Sequence, residues 1–244
     1  MNFSSFYTDS GKFIPYGMEH IISIIVLLVF GIWFIRKGKY SWTIDQRWRY
    51  AAYFAGFLYF VQIIKVPIRL YLGNFDHTKD LPLELCNLLP LFMLISLLAR
   101  SRFLLSIFFF WILAGTAQAN VTPSLREVLP HYEAFRYWLI HMGLPILAVF
   151  TFYALGITYK FTDIVRSALG MNVLAAIMYP VNLMLGSNYI YLLGKPPSPT
   201  LYDVLGPWPW YILTLEFMLL ICFSIVLIPF RLYLKYRGHK HVKV

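Results

Sequence analysis

Apolar and polar positions divide the chain into seven long apolar stretches separated by short polar ones: about 17–35, 50–72, 82–99, 103–119, 132–155, 164–185 and 209–231. Each is long enough to cross a hydrocarbon layer of about 30 Å as a helix rising about 1.5 Å per residue, the third only just. The two-residue alternation of a barrel strand is absent, and no internal repeat is visible. The pattern predicts an all-α, polytopic membrane protein, a single seven-helix bundle covering residues 1–244.

Composition narrows the class further. Of 244 residues, 59% are hydrophobic and 13% charged, with a mean hydropathy of +0.64. Disordered chains are apolar-poor, and a water-soluble enzyme of this size has no interior large enough for so much apolar surface. The formal net charge of +10 is not a nucleic-acid footprint, because no basic stripe or nucleic-acid module accompanies it. The basic residues instead follow alternate loops. Arg36, Lys37, Lys39, Arg47, Arg49, Arg100, Arg102, Lys160, Arg166, Arg231, Lys235, Arg237, Lys240 and Lys243 fall on one side, against Lys12, Lys79, Arg126 and Lys195 on the other. The positive-inside rule then predicts an outer N-terminus and a cytoplasmic C-terminus in a multi-pass cell-membrane protein. The first 15 residues, with Asp9 and Lys12, do not read as a cleavable signal peptide. Cys86 and Cys222 both lie in apolar stretches, so no disulfide framework is expected.

With an orientation, each polar residue acquires a depth. His20, beside Glu19, falls near the outer end of the first span. Gln62, Lys65 and Arg69 share a face in the outer half of the second. Glu84, Cys86 and Asn87 occupy the first turns of the third, and Thr116, Gln118 and Asn120 end the fourth. His131 stands at the mouth of the fifth, with His141 some 15 Å deeper. Asn172, Tyr179 and Asn182 repeat along one face of the sixth, Asn188 and Tyr189 follow it, and Glu216 lies about two turns into the seventh. Polar groups at membrane depth usually face the bundle interior, so the distribution predicts a polar cavity open toward the outer leaflet. Blander readings exist for single residues: Lys65 and Arg69 as snorkelling cations, the asparagines as helix-to-helix hydrogen bonds, His141 as a structural histidine. The loop Asn188–Trp210, stiffened by Pro196, Pro197, Pro199, Pro207 and Pro209, reads as an interfacial aromatic belt or as a lid over the cavity.

Cys86 is the strongest nucleophile in this set. Asp80 as N-cap and Pro82 in the first turn predict a helix start shortly before it, and a helix N-terminus favours a thiolate. His141 is the deep histidine able to act as its base, and a cysteine and histidine from separate helices form the pattern of nucleophilic acyl transfer. Cys222, off the face of Glu216, reads as a small hydrophobe.

LPLELC (81–86), LAGTAQANVTP (113–123), WLIHMG (138–143), GSNYIYLLGKPPSPTLYD (186–203) and LGPWPWY (205–211) together resemble the bacterial YwaF-type integral membrane family. That family is related to eukaryotic transmembrane acyltransferases that remodel ether phospholipids through a cysteine and a histidine. The resemblance implies that Cys86 and His141 take these roles in a bacterial plasma membrane. Glu84 stands where the family pattern has a histidine between two leucines. The expected reaction moves an acyl chain from a phospholipid to a lysophospholipid through a Cys86 thioester, within the surrounding membrane lipids. Lys65 and Arg69 are then expected to hold the phosphate, and Asn87, Gln118 or Asn182 to face the oxyanion. Asn188, Tyr189, Glu216 and His20 complete the expected substrate-binding set. No cofactor, metal or nucleic acid is called for, and the oligomeric state is open. Two other readings remain at this point. A metal-dependent lipid hydrolase would need ligands such as His20, His141, Glu19 and Glu216, without an HxxxH pair. A non-catalytic transporter or binding protein would use Pro67, Pro90, Pro145, Pro180 and Pro229 to break its helices.

Overall fold

The structure is a computed structural model and describes residues 11–196 and 201–241. Pro197 and Pro199 of the stiff loop and Lys243 of the basic tail lie outside the described residues. All regular structure among the described residues is helical: α1 Met18–Ser41, α2 Ile44–Ile63, α3 Lys65–Tyr71, α4 Leu85–Leu98, α5 Arg102–Ala114, α6 Tyr132–Tyr153, α7 Phe161–Leu185 and α8 Trp210–His241. Short 3-10 turns cover Thr116–Asn120, Tyr189–Tyr191 and Leu201–Val204. Six segments are long and apolar enough to cross a membrane: α1, Ile44–Tyr71, Arg102–Asn120, α6, α7 and Trp210–Arg237. The protein is a multi-pass membrane protein.

The predicted third span departs from expectation. It forms α4, only 14 residues long and beginning at Leu85, so Pro82 and Glu84 precede the helix. Asp80 does not cap it. Its carboxylate accepts the Asp76 amide at 2.9 Å and faces the Arg69 guanidinium at 3.9 Å, which leaves it committed to its own loop. Among the intramembrane prolines, only Pro67 lies at a visible break. Its ring excludes the carbonyl of Ile63 from a helical bond, and α2 gives way to α3 there, at Ile64. α4, α6, α7 and α8 continue through Pro90, Pro145, Pro180 and Pro229.

The chain forms two compact units. One comprises Met1–Lys65 and Cys86–Ile157, the other Val66–Leu85 and Thr158–Val244. α6 is the axis of the first unit, with 67% of its most apolar stretch buried, and it packs against α1, α2, α5 and the 116–120 turn. Glycine permits the closest approaches. A Cβ at Gly38 would lie 2.3 Å from the Phe150 ring, and one at Gly143 2.8 Å from Leu58. At one end of this unit Arg47 caps two helices, donating to the carbonyls of Lys39 and Trp42 beside the end of α1 and to Ala154 at the end of α6. In the second unit α7 packs along α8, of which only 17% of the apolar stretch is buried. Its exposed Phe217, Ile221 and Ile225 suit contact with lipid chains.

Candidate functional site

Gly115 ends α5, and the next five residues, TAQAN, wind into a tight 3-10 turn. Such a turn rises about 2.0 Å per residue, so Thr116 and Asn120 stand about 8 Å apart. The turn is held from three sides. Tyr137 of α6 donates its hydroxyl to the Ala119 carbonyl at 2.8 Å, and His20 of α1 donates Nε2–H to the Asn120 carbonyl at 2.8 Å. Asn120 in turn reaches α6 with its side chain.

At the Thr116 end lies Cys86, its Sγ 3.7 Å from the threonine Oγ1. Thr116 is fully buried, while Cys86 is partly exposed. The late start of α4 makes Cys86 the second residue of the helix. It therefore sits in the first turn, where amide N–H groups lack intrahelical acceptors and the helix dipole most favours an anion.

At the Asn120 end lies His141. Pro145, four residues further along α6, has no N–H to offer the His141 carbonyl. Asn120 fills the vacancy, its Nδ2 donating to that carbonyl at 2.6 Å. The imidazole Nδ1 lies 2.9 Å from the Tyr137 carbonyl. A carbonyl only accepts, so Nδ1 carries the proton and Nε2 keeps its lone pair. Among the described residues Nε2 has no hydrogen-bond partner, and the centre of the Tyr137 ring lies 4.1 Å from that of the imidazole, tilted by 34°. His20 differs. The Tyr16 amide donates to its Nδ1 at 2.9 Å, Nε2–H is given to Asn120, and Tyr16, Phe13 and Trp138 enclose the ring. Both of its nitrogens are committed.

Next to Cys86, Asn87 approaches Arg136 of α6, whose Nη1 lies 3.5 Å from its Oδ1. The same Nη1 donates to the buried Gln62 at 2.8 Å, and Nε and Nη2 both donate to Glu133. This largely buried ion pair fixes the Asn87 amide, turning its carbonyl toward Arg136. Gln118 extends its side chain into the open from the middle of the 116–120 turn, and Lys65 is partly buried at the start of α3. Sequence reasoning gave Arg136 and Tyr137 no role, and gave Thr116 and Asn120 only a place among the polar groups of the predicted cavity. A signal was present: Cys86 and His141 each precede a proline by four residues, Pro90 and Pro145, and each therefore has a carbonyl that its own helix does not engage in the ordinary way.

A model of the TMEM164 family matches residues 15–227. The chain belongs to the TMEM164 family. No curated protein and no solved structure matches it.

The family match extends through the second unit, where the other predicted substrate residues are found. Asn182 is fully buried, and its amide is spent locally: Nδ2 donates to the Tyr189 carbonyl at 2.9 Å, and Oδ1 accepts from Ser187 Oγ and the Tyr189 amide, both at 2.8 Å. Asn172 and Tyr179, expected on the same face, are exposed. Residues ten apart in a helix differ by about 80° in direction, enough to turn one inward and the other out. Asn188 closes its own loop through Leu193 and Gly194. Tyr189 accepts from the Leu81 amide at 3.1 Å and donates to the His77 carbonyl at 2.8 Å. Burial, above all, pushes its phenol up to about 12, so it remains a donor. Glu84 accepts the Ile190 amide, which helps hold Ile190 at a positive φ of 53° that a β-branched residue rarely adopts. Arg69 pairs with Asp80, and Glu216 accepts from Asn172 at 3.1 Å. Among the described residues no three His, Cys, Asp or Glu side chains gather as a metal site.

Proposed function

We propose that this TMEM164-family protein is a phospholipid acyltransferase of the YwaF-like kind, working through a Cys86 thioester with His141 as base. We read α4 as the seventh span and take the N-terminus as external, in keeping with the distribution of basic residues. The observation that carries the reading is that Cys86 and His141 are tied to opposite ends of one five-residue turn, through Thr116 and Asn120. The free lone pair on Nε2 and the place of Cys86 in the first turn of α4 supply the two properties the chemistry needs.

In the first half-reaction the Cys86 thiol gives its proton to His141 Nε2, and the thiolate attacks the acyl carbonyl of a phospholipid. A carbon–sulfur bond forms. As the ester C–O bond breaks, the imidazolium returns the proton to the departing lysophospholipid oxygen. In the second, the hydroxyl of an acceptor lysophospholipid gives its proton to Nε2 and attacks the thioester carbonyl. The carbon–sulfur bond breaks and the proton returns to sulfur. Nδ1–H, held by the Tyr137 carbonyl, keeps the ring in the tautomer that both steps require. The oxyanion is met by the amide N–H groups at the start of α4 and by the Asn87 Nδ2, which Arg136 frees by engaging the carbonyl side of that amide. Lys65 and Gln118 serve the headgroup. His20 supports the site by holding the turn. The commitments of Arg69, Asn182, Asn188, Tyr189 and Glu216 assign them to holding their own unit.

The test is lysophospholipid acylation by the purified protein in lipid nanodiscs. Cys86→Ala and His141→Ala are each expected to lower the rate by about a thousandfold or more with the thermal midpoint unchanged. Full activity in both variants would remove the proposal.

A further inference from the structure

We infer that Thr116 is a positioning residue for Cys86: its hydroxyl donates to the thiolate and holds Sγ at the mouth of α4. This deepens the reading just given and rests on Cys86 being the nucleophile. The threonine is wholly buried, with 0% of its surface exposed, and its Oγ1 is 3.7 Å from Sγ. Among the described residues this is the hydrogen bond that Oγ1 makes. A fully buried hydroxyl directs its proton at the acceptor in reach, and here that acceptor is sulfur.

The consequence depends on the ionisation state of sulfur. A thiol is a weak acceptor and a thiolate a strong one, so a fixed donor favours the charged form over the neutral one. The donor is also prepaid. Thr116 opens a turn that Tyr137, His20 and Asn120 already secure, and its β-branched side chain has little rotameric freedom. The thiolate therefore meets a donor that need not be reoriented. Cys86 is the second residue of α4, so the helix dipole favours the same charged state that the hydroxyl does. Hydroxyl and imidazole then divide the work. His141 moves the proton, and Thr116 favours the state left behind.

The experiment measures alkylation of Cys86 by iodoacetamide against pH in the full-length protein in nanodiscs, without any lysolipid, in a Cys222→Ala background. Thr116→Val keeps the shape and removes the hydroxyl. It is expected to move the half-maximal pH upward by about one unit, slowing alkylation near neutrality by about tenfold. Thr116→Ser is expected to retain the parent profile and Thr116→Ala to follow Val, so the Ser/Ala pair carries the test even where Val fails to fold. Coincident profiles for Ser and Ala would overturn the inference. Because no acyl substrate is present, a shifted profile in a protein that transfers no acyl chain would count against the acyltransferase reading and leave the Thr116–Cys86 interaction standing.

Discussion

The surroundings of Asn120 and those of Asn182 are built from the same materials: a buried asparagine at the end of a helix, a 3-10 turn, and a tyrosine hydroxyl capping a carbonyl. They differ in what is left over. Around Asn182 every amide atom has a local partner, and Tyr189 uses its phenol both to give and to accept. Around Asn120 capacity remains. Its own Oδ1 is buried without a hydrogen-bond partner among the described residues. Buried polar groups are costly unless satisfied, so the open Oδ1 of Asn120, set against the closed amide of Asn182, is what sets the candidate site apart from the Asn182 region.

The contrast predicts opposite responses to the same substitution. Asn182→Ala removes three hydrogen bonds at a fully buried position and strands the Tyr189 backbone and the Ser187 hydroxyl. A loss of about 3 kcal/mol is expected, read as a lower midpoint in thermal or denaturant unfolding, with acyl transfer per folded molecule nearly unchanged. Asn120→Ala removes the donor that replaces the missing N–H of Pro145 and is expected to cost only about 1 kcal/mol. Its larger signature is kinetic: transfer falls about tenfold as His141 and the turn lose their common tie. Selective loss of transfer in the Asn182 variant, with stability intact, would reverse the assignment of the two regions.

Much of the fold was legible because apolar length is a strong and local signal. The helices α1, α6, α7 and α8 start within a few residues of expectation and run on where charge ends the hydropathy signal but not the helix, as at Arg36, Lys37 and Lys39 in α1. The start of α4 was not legible, since Asp80 and Pro82 make a credible N-terminus until Arg69 and the Asp76 amide claim the carboxylate. At the site, Cys86 and His141 stood out by residue type and depth. What surrounds them did not, because the roles of Thr116, Asn120 and Arg136 depend on partners 21 to 49 residues away in sequence. Asn182, one of three residues expected to face the oxyanion, bonds to Ser187 and Tyr189, partners that residue type and depth do not reveal.

The account turns on a covalent bond at one sulfur. Mass spectrometry of the protein drawn from its native membrane, digested under conditions that spare thioesters, tests this most directly. The prediction is an acyl adduct on the Cys86 peptide that hydroxylamine removes and that disappears in His141→Ala. A Cys86 peptide that carries no acyl group, in protein that is actively acylating lysophospholipid, would contradict it.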